Sequence, residues 1–420
     1  MNERQAAFLI IHSVMEEGSF LNKKTEEIFS SAENLSDKEK NFIRRLSAGT
    51  VEKGLYLDTI INTYSKTPVK KMKPKIKTIL RMGVYQLKFM DSVPDSAAVN
   101  ESVKLAVKNG QGALKGFVNG VLRSISRNEK EVKFDTLSKR YSVPEWITRL
   151  FEKERGKEGT EKILRGLSEE KKTCIFVNGN KTTKDELKKE LTEQGIIVNE
   201  TEDPDSLFIE NYGDIKTIPG FGEGKFYIQD LSTILAVKSI GIKPGDRVLD
   251  VCAAPGGKTI VAAVLTGETG RVTSCDISKE KVDIIKENIK RCGMENVDAV
   301  VRDATKYIEE DKEQFDVVIC DLPCSGLGIM KRKPDIRYRV KREDITALAD
   351  LQKEMLGVSK EYVRSGGKLL FSTCTLSKEE DEKNKEFFLD DNKDYKLLSE
   401  ELTFPDEVRD GFYHAVFCKG

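Results

Sequence analysis

The spacing of hydrophobic positions changes along this chain. Through residues 1–132 they recur at three and four, the period of an amphipathic helix. Ala6, Ala7, Phe8, Leu9 and Ile10 open the first such segment. Ser36-Asp37-Lys38-Glu39 is a helix-start signal ahead of Phe42, Ile43 and Leu46. Ile76, Ile79, Leu80, Val84 and Leu87 repeat the stripe until Pro94 breaks it. Further helical stretches follow at 97–106 and 117–123. Short connections between apolar helices predict an all-α bundle. Residues 133–225 mix the two periods: a helix after Ser142-Val143-Pro144, a strand at 174–178 and a helix at 184–194, a small α/β domain.

From 226 to 420 apolar runs of strand length alternate with helical ones. The strands are expected at 247–251, 272–276, 299–303, 316–321 and 367–372, with a helix at 279–292 after the second. That alternation predicts a mostly parallel, doubly wound sheet. In such sheets ligands sit at the carboxyl ends of strands, and the unusual residues of this region lie there.

Composition adds limits. A chain of 420 residues, 38% hydrophobic and 33% charged, has room for two or three globular domains. It contains no apolar run of membrane-spanning length, and its start has no basic region with a long apolar core. Eight irregularly spaced cysteines and two histidines argue against a disulfide framework and a zinc site. A reducing cytoplasm is the expected setting. The zero net charge hides an asymmetry: residues 1–133 carry 23 Lys and Arg against 15 Asp and Glu. The densest basic run, Lys66 to Arg81, is a candidate nucleic-acid footprint, with a solvated helix face as the plain alternative.

The first strand of the last region runs into Asp250-Val251-Cys252-Ala253-Ala254-Pro255-Gly256-Gly257-Lys258-Thr259. Its end imitates a triphosphate-binding loop, but Cys252 stands where that loop requires glycine. The small residues still allow a ligand to approach the backbone. Asp276, closing the second strand, sits where an acid meets ribose hydroxyls in dinucleotide folds. Asp303, closing the third, is placed to meet an adenine edge. The ordered set fits an adenosine ligand without triphosphate.

The fourth strand leads into Asp321-Leu322-Pro323-Cys324-Ser325-Gly326 and the fifth into Ser372-Thr373-Cys374-Thr375. Cys174, Cys275, Cys292, Cys320 and Cys418 read as small buried hydrophobes. Cys252 reads as a backbone contact in the ligand loop. Cys324 and Cys374, at neighbouring strand ends, read as chemistry, and either is a candidate nucleophile.

Together these motifs resemble the S-adenosylmethionine-dependent RNA cytosine-C5 methyltransferases. Ala97-Ala98-Val99-Asn100-Glu101 and Phe117-Val118-Asn119-Gly120-Val121-Leu122-Arg123 resemble the NusB-type RNA-binding domain, and that fusion is the pattern of the bacterial RsmB (Sun) family of 16S rRNA methyltransferases. Tyr227-Ile228-Gln229-Asp230-Leu231-Ser232 and Asp410-Gly411-Phe412-Tyr413 fit as well. The chain departs from the family at Phe176, at Leu322, at Lys331 in the pair Lys331-Arg332, where the family has two arginines, and at Asp381 in the pair Glu380-Asp381, where it has glutamate and asparagine. The resemblance implies a NusB-like domain at 1–132, a small α/β domain at 133–225 and a Rossmann-like catalytic domain at 226–420. It implies S-adenosylmethionine held by Cys252, Ala253, Ala254, Pro255, Gly256, Gly257, Lys258, Asp276, Asp303 and Asp321. It also implies RNA, small-subunit rRNA foremost, as partner of a monomer without metal or membrane. Cys374 would then be the nucleophile, although Pro-Cys, here Cys324, is the nucleophile pattern of DNA cytosine methyltransferases. Cys324 would take part in proton removal and product release, Asp321 would hold the cytosine edge, and Lys258 would assist or serve the fold. A tRNA substrate and a non-catalytic assembly factor are the competing readings. An amino methyltransferase is disfavoured because Asp321-Leu322-Pro323-Cys324 replaces its Asp/Asn-Pro-Pro-aromatic motif.

Overall fold

A computed structural model describes residues 1–32, 35–128 and 130–420. The chain divides into two compact units: residues 1–164 with 330–341, and residues 165–329 with 342–420.

The first unit is helical. Its helices include Glu3–Glu17, Leu21–Ser31, Asp37–Glu52, Gly54–Tyr64, Pro74–Phe89, Asp95–Lys108 and Lys115–Arg127, and most of the kinked span Glu145–Gly166 belongs to it as well. Local chemistry sets their ends. Asn2 caps the first by accepting from Gln5 N at 2.9 Å. Ser36 and Glu39 form the expected capping box, Ser36 N donating to Glu39 Oε2 at 2.9 Å. Pro94 lies between two helices, as expected, at the N-cap of the one that begins at Asp95. The apolar stripes named above meet in one core that includes Phe8, Ile10, Ile43, Leu46, Ile79, Leu80 and Leu122.

The basic run divides by burial. Arg81 is buried and meets Asp58 through two bonds of 2.7 Å, and Lys77 pairs with Glu16. Lys66, Lys70, Lys71, Lys73 and Lys75 are exposed. The excursion 330–341 belongs to this unit. Tyr338 donates to Val51 O at 2.9 Å, and Lys331 pairs with Glu52 at 3.1 Å.

The second unit holds two sheets. The first contains β1 (Thr173–Val177), β2 (Ile197–Glu200), β3 (Ser206–Glu210) and β4 (Phe226–Ile228), in the order β2-β3-β1-β4. Helix Lys184–Glu193 buries Leu187 and Leu191, which join the apolar cluster of this sheet.

The second sheet contains β5 (Arg247–Asp250), β6 (Arg271–Asp276), β7 (Val297–Val301), β8 (Phe315–Asp321), β9 (Val363–Thr373), β10 (Tyr395–Thr403) and β11 (Phe412–Lys419). Their order is β10-β11-β9-β8-β5-β6-β7. The five strands from β7 to β9 are parallel, and β11 and β10 close the edge antiparallel. The chain moves outward from β5 through β6 and β7, then returns to lay β8 on the other side of β5. The loops after β5 and β8 therefore part at a topological switch point, where a crevice opens at the strand ends.

Candidate active site

Both flanking loops carry the residues singled out in the sequence. After β5 the chain turns at Gly256, whose φ of 107° suits glycine alone, and enters helix Gly257–Thr266. A Cβ on Gly257 would stand 1.8 Å from Gln229 Oε1, so the Gln229 side chain would have to move to admit one. Asp250 is fully buried at the strand end and accepts from Thr259 Oγ1 at 2.8 Å. Burial pushes its carboxyl up to about 7, against the Thr259 bond and the nearby Lys258 charge.

Asp276, at the end of β6, is buried and ties itself to the loop by accepting from Ala254 N at 3.2 Å. Lys281 pairs with its other oxygen at 3.1 Å. Gln229, Asp250, Cys252, Ala253, Ala254, Pro255, Gly257, Lys258 and Asp321 line one cavity of about 60 Å3. Asp303 is not brought into that lining. β7 ends at Val301, two residues before it, and its carboxyl accepts from Thr305 N and Oγ1 at 2.9 and 2.7 Å. The strand expected at 299–303 lies two residues earlier, at Val297–Val301, and its last two residues, Val300 and Val301, are exposed.

Lys258 and Asp321 are partners. Lys258 Nζ stands 2.7 Å from Asp321 Oδ2, with the ammonium over the Phe412 ring at 5.3 Å. Asp321 Oδ1 accepts from Ser372 Oγ at 2.8 Å. Asp321 and Ser372 face each other in the β8–β9 register, so the sheet itself sets this contact. The carboxylate is thus gripped on both oxygens, and its side chain is 31% exposed.

The cysteine loops leave β8 and β9 side by side. Leu322 N donates to Ser372 O at 3.1 Å, and Gly328 N to Cys374 O at 3.0 Å. A Cβ on Gly328 would lie 2.1 Å from Gly411 O and 2.9 Å from Cys374 O, so only glycine lets these segments approach. The result is a sulfur pair: Cys324 Sγ and Cys374 Sγ are 3.2 Å apart. The neighbouring Cys374 sulfur, then burial, then the Glu380 and Asp321 carboxyls hold the Cys324 thiol well above the ordinary thiol range.

The other cysteines separate as expected, with one exception. Cys174, Cys275, Cys292 and Cys320 are buried. Cys418 is only partly buried, on the closing strand β11 with its sulfur 4.0 Å from Gly366 O, and is not a core residue. Burial pushes the Cys252 thiol far above its usual range, which suits a packing role. Among the described residues no cluster of His, Cys, Asp and Glu could hold a metal ion, and no helix is long and apolar enough to cross a membrane.

Four site residues were not assigned from sequence: Gln229, Ser372, Gln352 and Glu380. Glu380 is fully buried, and burial pushes its carboxyl up to about 7. The folded-state values of Glu380 and Asp250 lie above those of an unfolded chain. Their contribution to stability is therefore complete below about pH 4 and is lost as pH rises through about 7. Lowering pH from 8 to 6 is expected to raise the melting temperature, with ~1 kcal/mol from each group. Calorimetry should show Glu380→Gln flattening that slope; an unchanged slope would contradict the raised value.

The donor set suits an adenosine-bearing sulfonium ligand. A glycine-turned loop offers backbone, Asp276 offers an acid for a ribose diol, and Ala253 and Pro255 offer apolar surface.

Comparison with known proteins agrees with this geometry. Residues 237–416 match the family model for 16S rRNA methyltransferase RsmB/F, residues 1–127 the NusB family, and residues 143–216 the ferredoxin-like domain of RsmF/B-like methyltransferases. A probable ribosomal RNA small subunit methyltransferase B of Bacillus subtilis is 35% identical over 384 residues, 89% of this chain and 86% of the relative. A ribosomal RNA small subunit methyltransferase B of Vibrio cholerae is 29% identical over 432 residues, 100% of this chain and 98% of the relative. The crystal structure of PH0851 superposes with a TM-score of 0.81 at 25% identity, covering 98% of each chain. Two facing cysteine loops at a doubly wound sheet's switch point, a NusB-type helical unit and full-length relatives converge: the chain belongs to the ribosomal RNA small subunit methyltransferase B family, S-adenosylmethionine-dependent RNA methyltransferases.

Proposed function

We propose that the chain methylates C5 of a cytosine in 16S rRNA through a covalent bond between Cys374 and C6 of the base. The observation that carries this reading is the 3.2 Å sulfur pair at the ends of β8 and β9, beside the clamped Asp321 carboxylate.

Cytosine C5 is a weak nucleophile until a thiolate adds at C6 and makes C5 enamine-like. Cys374 is the better candidate to add. The family resemblance assigns it that role, and the Cys324 sulfur, 3.2 Å away, is close enough to share a hydrogen bond with it. Asp321 holds the base edge by accepting from N4–H and from N3 once N3 takes up a proton from solvent, so the charge that the thiolate delivers at C6 ends as a neutral N3–H. Lys258 and Ser372 keep its oxygens oriented. S-adenosylmethionine, held by the loop 252–258 with Asp276, would supply an electrophilic methyl group. After transfer C5 carries both a methyl group and a hydrogen. Cys324, having lost its own thiol proton to solvent, takes that proton as the C5–H electron pair expels Cys374 from C6 as a thiolate.

The target base must leave any stack to reach the crevice, at a cost of a few kcal/mol. The exposed lysines of the helical unit would help offset that cost through phosphate contacts. Replacing Lys70, Lys71 and Lys73 together with glutamate is expected to weaken RNA binding at least about tenfold at low salt. It should also reduce the slope of log affinity against log salt by about two. Filter binding across a salt series checks this; an unchanged slope would remove the patch from the RNA path.

The test of the function is transfer of labelled methyl from S-adenosylmethionine to unmodified 16S rRNA and, separately, to bulk tRNA, followed by nucleoside analysis. Label in 5-methylcytidine from rRNA supports the reading. Label from tRNA alone would overturn the ribosomal substrate, and label in another nucleoside would overturn C5 chemistry. Failure with both RNAs and with a partly assembled small subunit would favour a non-catalytic assembly factor.

A further inference from the structure

The strands alone do not fix the sulfur pair. Cys324 lies three residues beyond the end of β8 and Cys374 one beyond β9. Something must hold two separate loops so that their thiols meet.

The residues on either side of each cysteine are all held by buried polar side chains. Glu380 Oε1 accepts from Ser325 N at 2.7 Å, and Oε2 accepts from Ser325 Oγ at 2.5 Å. Ser325 follows Cys324. Thr375, which follows Cys374, has its hydroxyl 2.7 Å from Ser325 Oγ and 3.4 Å from Glu380 Oε2. Gln352 Nε2 donates to the carbonyl of Pro323, the residue before Cys324, at 2.9 Å, and reaches Glu380 Oε1 at 3.4 Å. Asn384 donates to Gln352 Oε1 at 2.7 Å and holds that amide in place. Thr373, before Cys374, donates to Asp381 Oδ1 at 2.5 Å. Glu380 is where the two loops are joined: its carboxyl is hydrogen-bonded to the residue following each thiol. Glu380, Ser325, Thr375, Gln352 and Asn384 are all fully or almost fully buried, so water does not compete for these bonds.

We propose that Glu380 is a positioning residue that joins the two cysteine loops and holds Cys324 within hydrogen-bond distance of the Cys374 sulfur. The proposal rests on the two-cysteine reading of the site for its consequence in catalysis, but not for its geometry. A carboxyl group in this place bonds a backbone N–H and a hydroxyl of one loop and the hydroxyl of the other at once. An amide keeps an acceptor for Ser325 N and loses the second acceptor. Alanine loses both. Misplacing reacting groups by about 1 Å is enough to cost on the order of a hundredfold in rate.

The test needs two readouts on the full-length protein. The first uses no substrate: diamide accepts two electrons and two protons from the thiol pair and is reduced to the hydrazine, and mass spectrometry follows the Cys324–Cys374 disulfide that forms. Its rate reports how often the sulfurs meet. The second is steady-state methyl transfer. Glu380→Gln is expected to slow disulfide formation at least about fivefold and lower kcat at least about tenfold, with KM for RNA and for S-adenosylmethionine within about twofold of the wild type. Ser325→Ala, which keeps the carboxyl and removes the hydroxyl link, should shift both readouts the same way by less. Wild-type disulfide rate in both variants would overturn the proposal, whatever happens to activity. A slowed disulfide rate in a protein whose wild type transfers no methyl would support the positioning role while sinking the proposed reaction.

Discussion

Cys374→Ala is expected to abolish methyl transfer to RNA, with residual activity at least about a thousandfold below the wild type. Removing a covalent nucleophile leaves only the barrier lowering that comes from binding and electrostatics. The loss should fall on kcat. Binding of S-adenosylmethionine should stay within about twofold, because Cys374 is not among the residues lining the β5 loop cavity. Isothermal titration calorimetry with the cofactor and a labelled-methyl assay check the two halves separately. Activity within about tenfold of the wild type would remove Cys374 from the role of nucleophile.

Cys324→Ala is expected to have a different signature. The first half of the reaction survives, since Cys374 is intact, but removal of the C5 proton and expulsion of Cys374 slow. A covalent protein–RNA species should accumulate and survive a denaturing gel. Turnover should fall at least about a hundredfold while a single round of transfer persists, a split that general acid–base loss produces. The geometry leaves a clear alternative outcome. If the covalent species disappears in Cys324→Ala and accumulates in Cys374→Ala, the roles are exchanged.

Much of this site is legible in the sequence because its chemistry is local. The capping box at Ser36 and Glu39 involves residues three apart, and the central strands β5, β6 and β8 are buried runs whose composition has few other uses. The loop 252–258 and the two cysteines sit where parallel strands end, and that follows from alternation alone. The edges of the sheet are less legible. β10 turns most of its residues to solvent and reads as a polar segment, so its pairing with β11 shows only in three dimensions. β7 is partly exposed, which blurred its boundary and left Asp303 beyond the strand rather than on it.

The partners of the chemical residues were hidden for a different reason. Ser372 contacts Asp321 because of the register between β8 and β9, and register is set by packing of whole strands rather than by any short motif. Lys258 finds Asp321 across the switch point, 63 positions away in the chain by their numbers. Glu380 sits in an acidic stretch, Lys378 to Glu382, where charge predicts exposure; the Glu380-Asp381 pair stands out in the sequence only as a family position, and the burial of Glu380 shows in the loops it joins. The excursion 330–341 packs in the helical unit although its neighbours in sequence belong to the catalytic one, and no linear division of the chain anticipates that.

The most direct test of the central claim is to trap the bond itself. Wild-type enzyme would be incubated with S-adenosylmethionine and 16S rRNA transcribed with 5-fluorocytidine, where fluorine at C5 blocks the final proton loss. The adduct would then be digested and its peptides mapped by mass spectrometry. The mechanism predicts a methylated fluorocytidine attached to the peptide through Cys374. Attachment through Cys324, or methyl transfer to RNA with no protein–RNA bond at all, would contradict it.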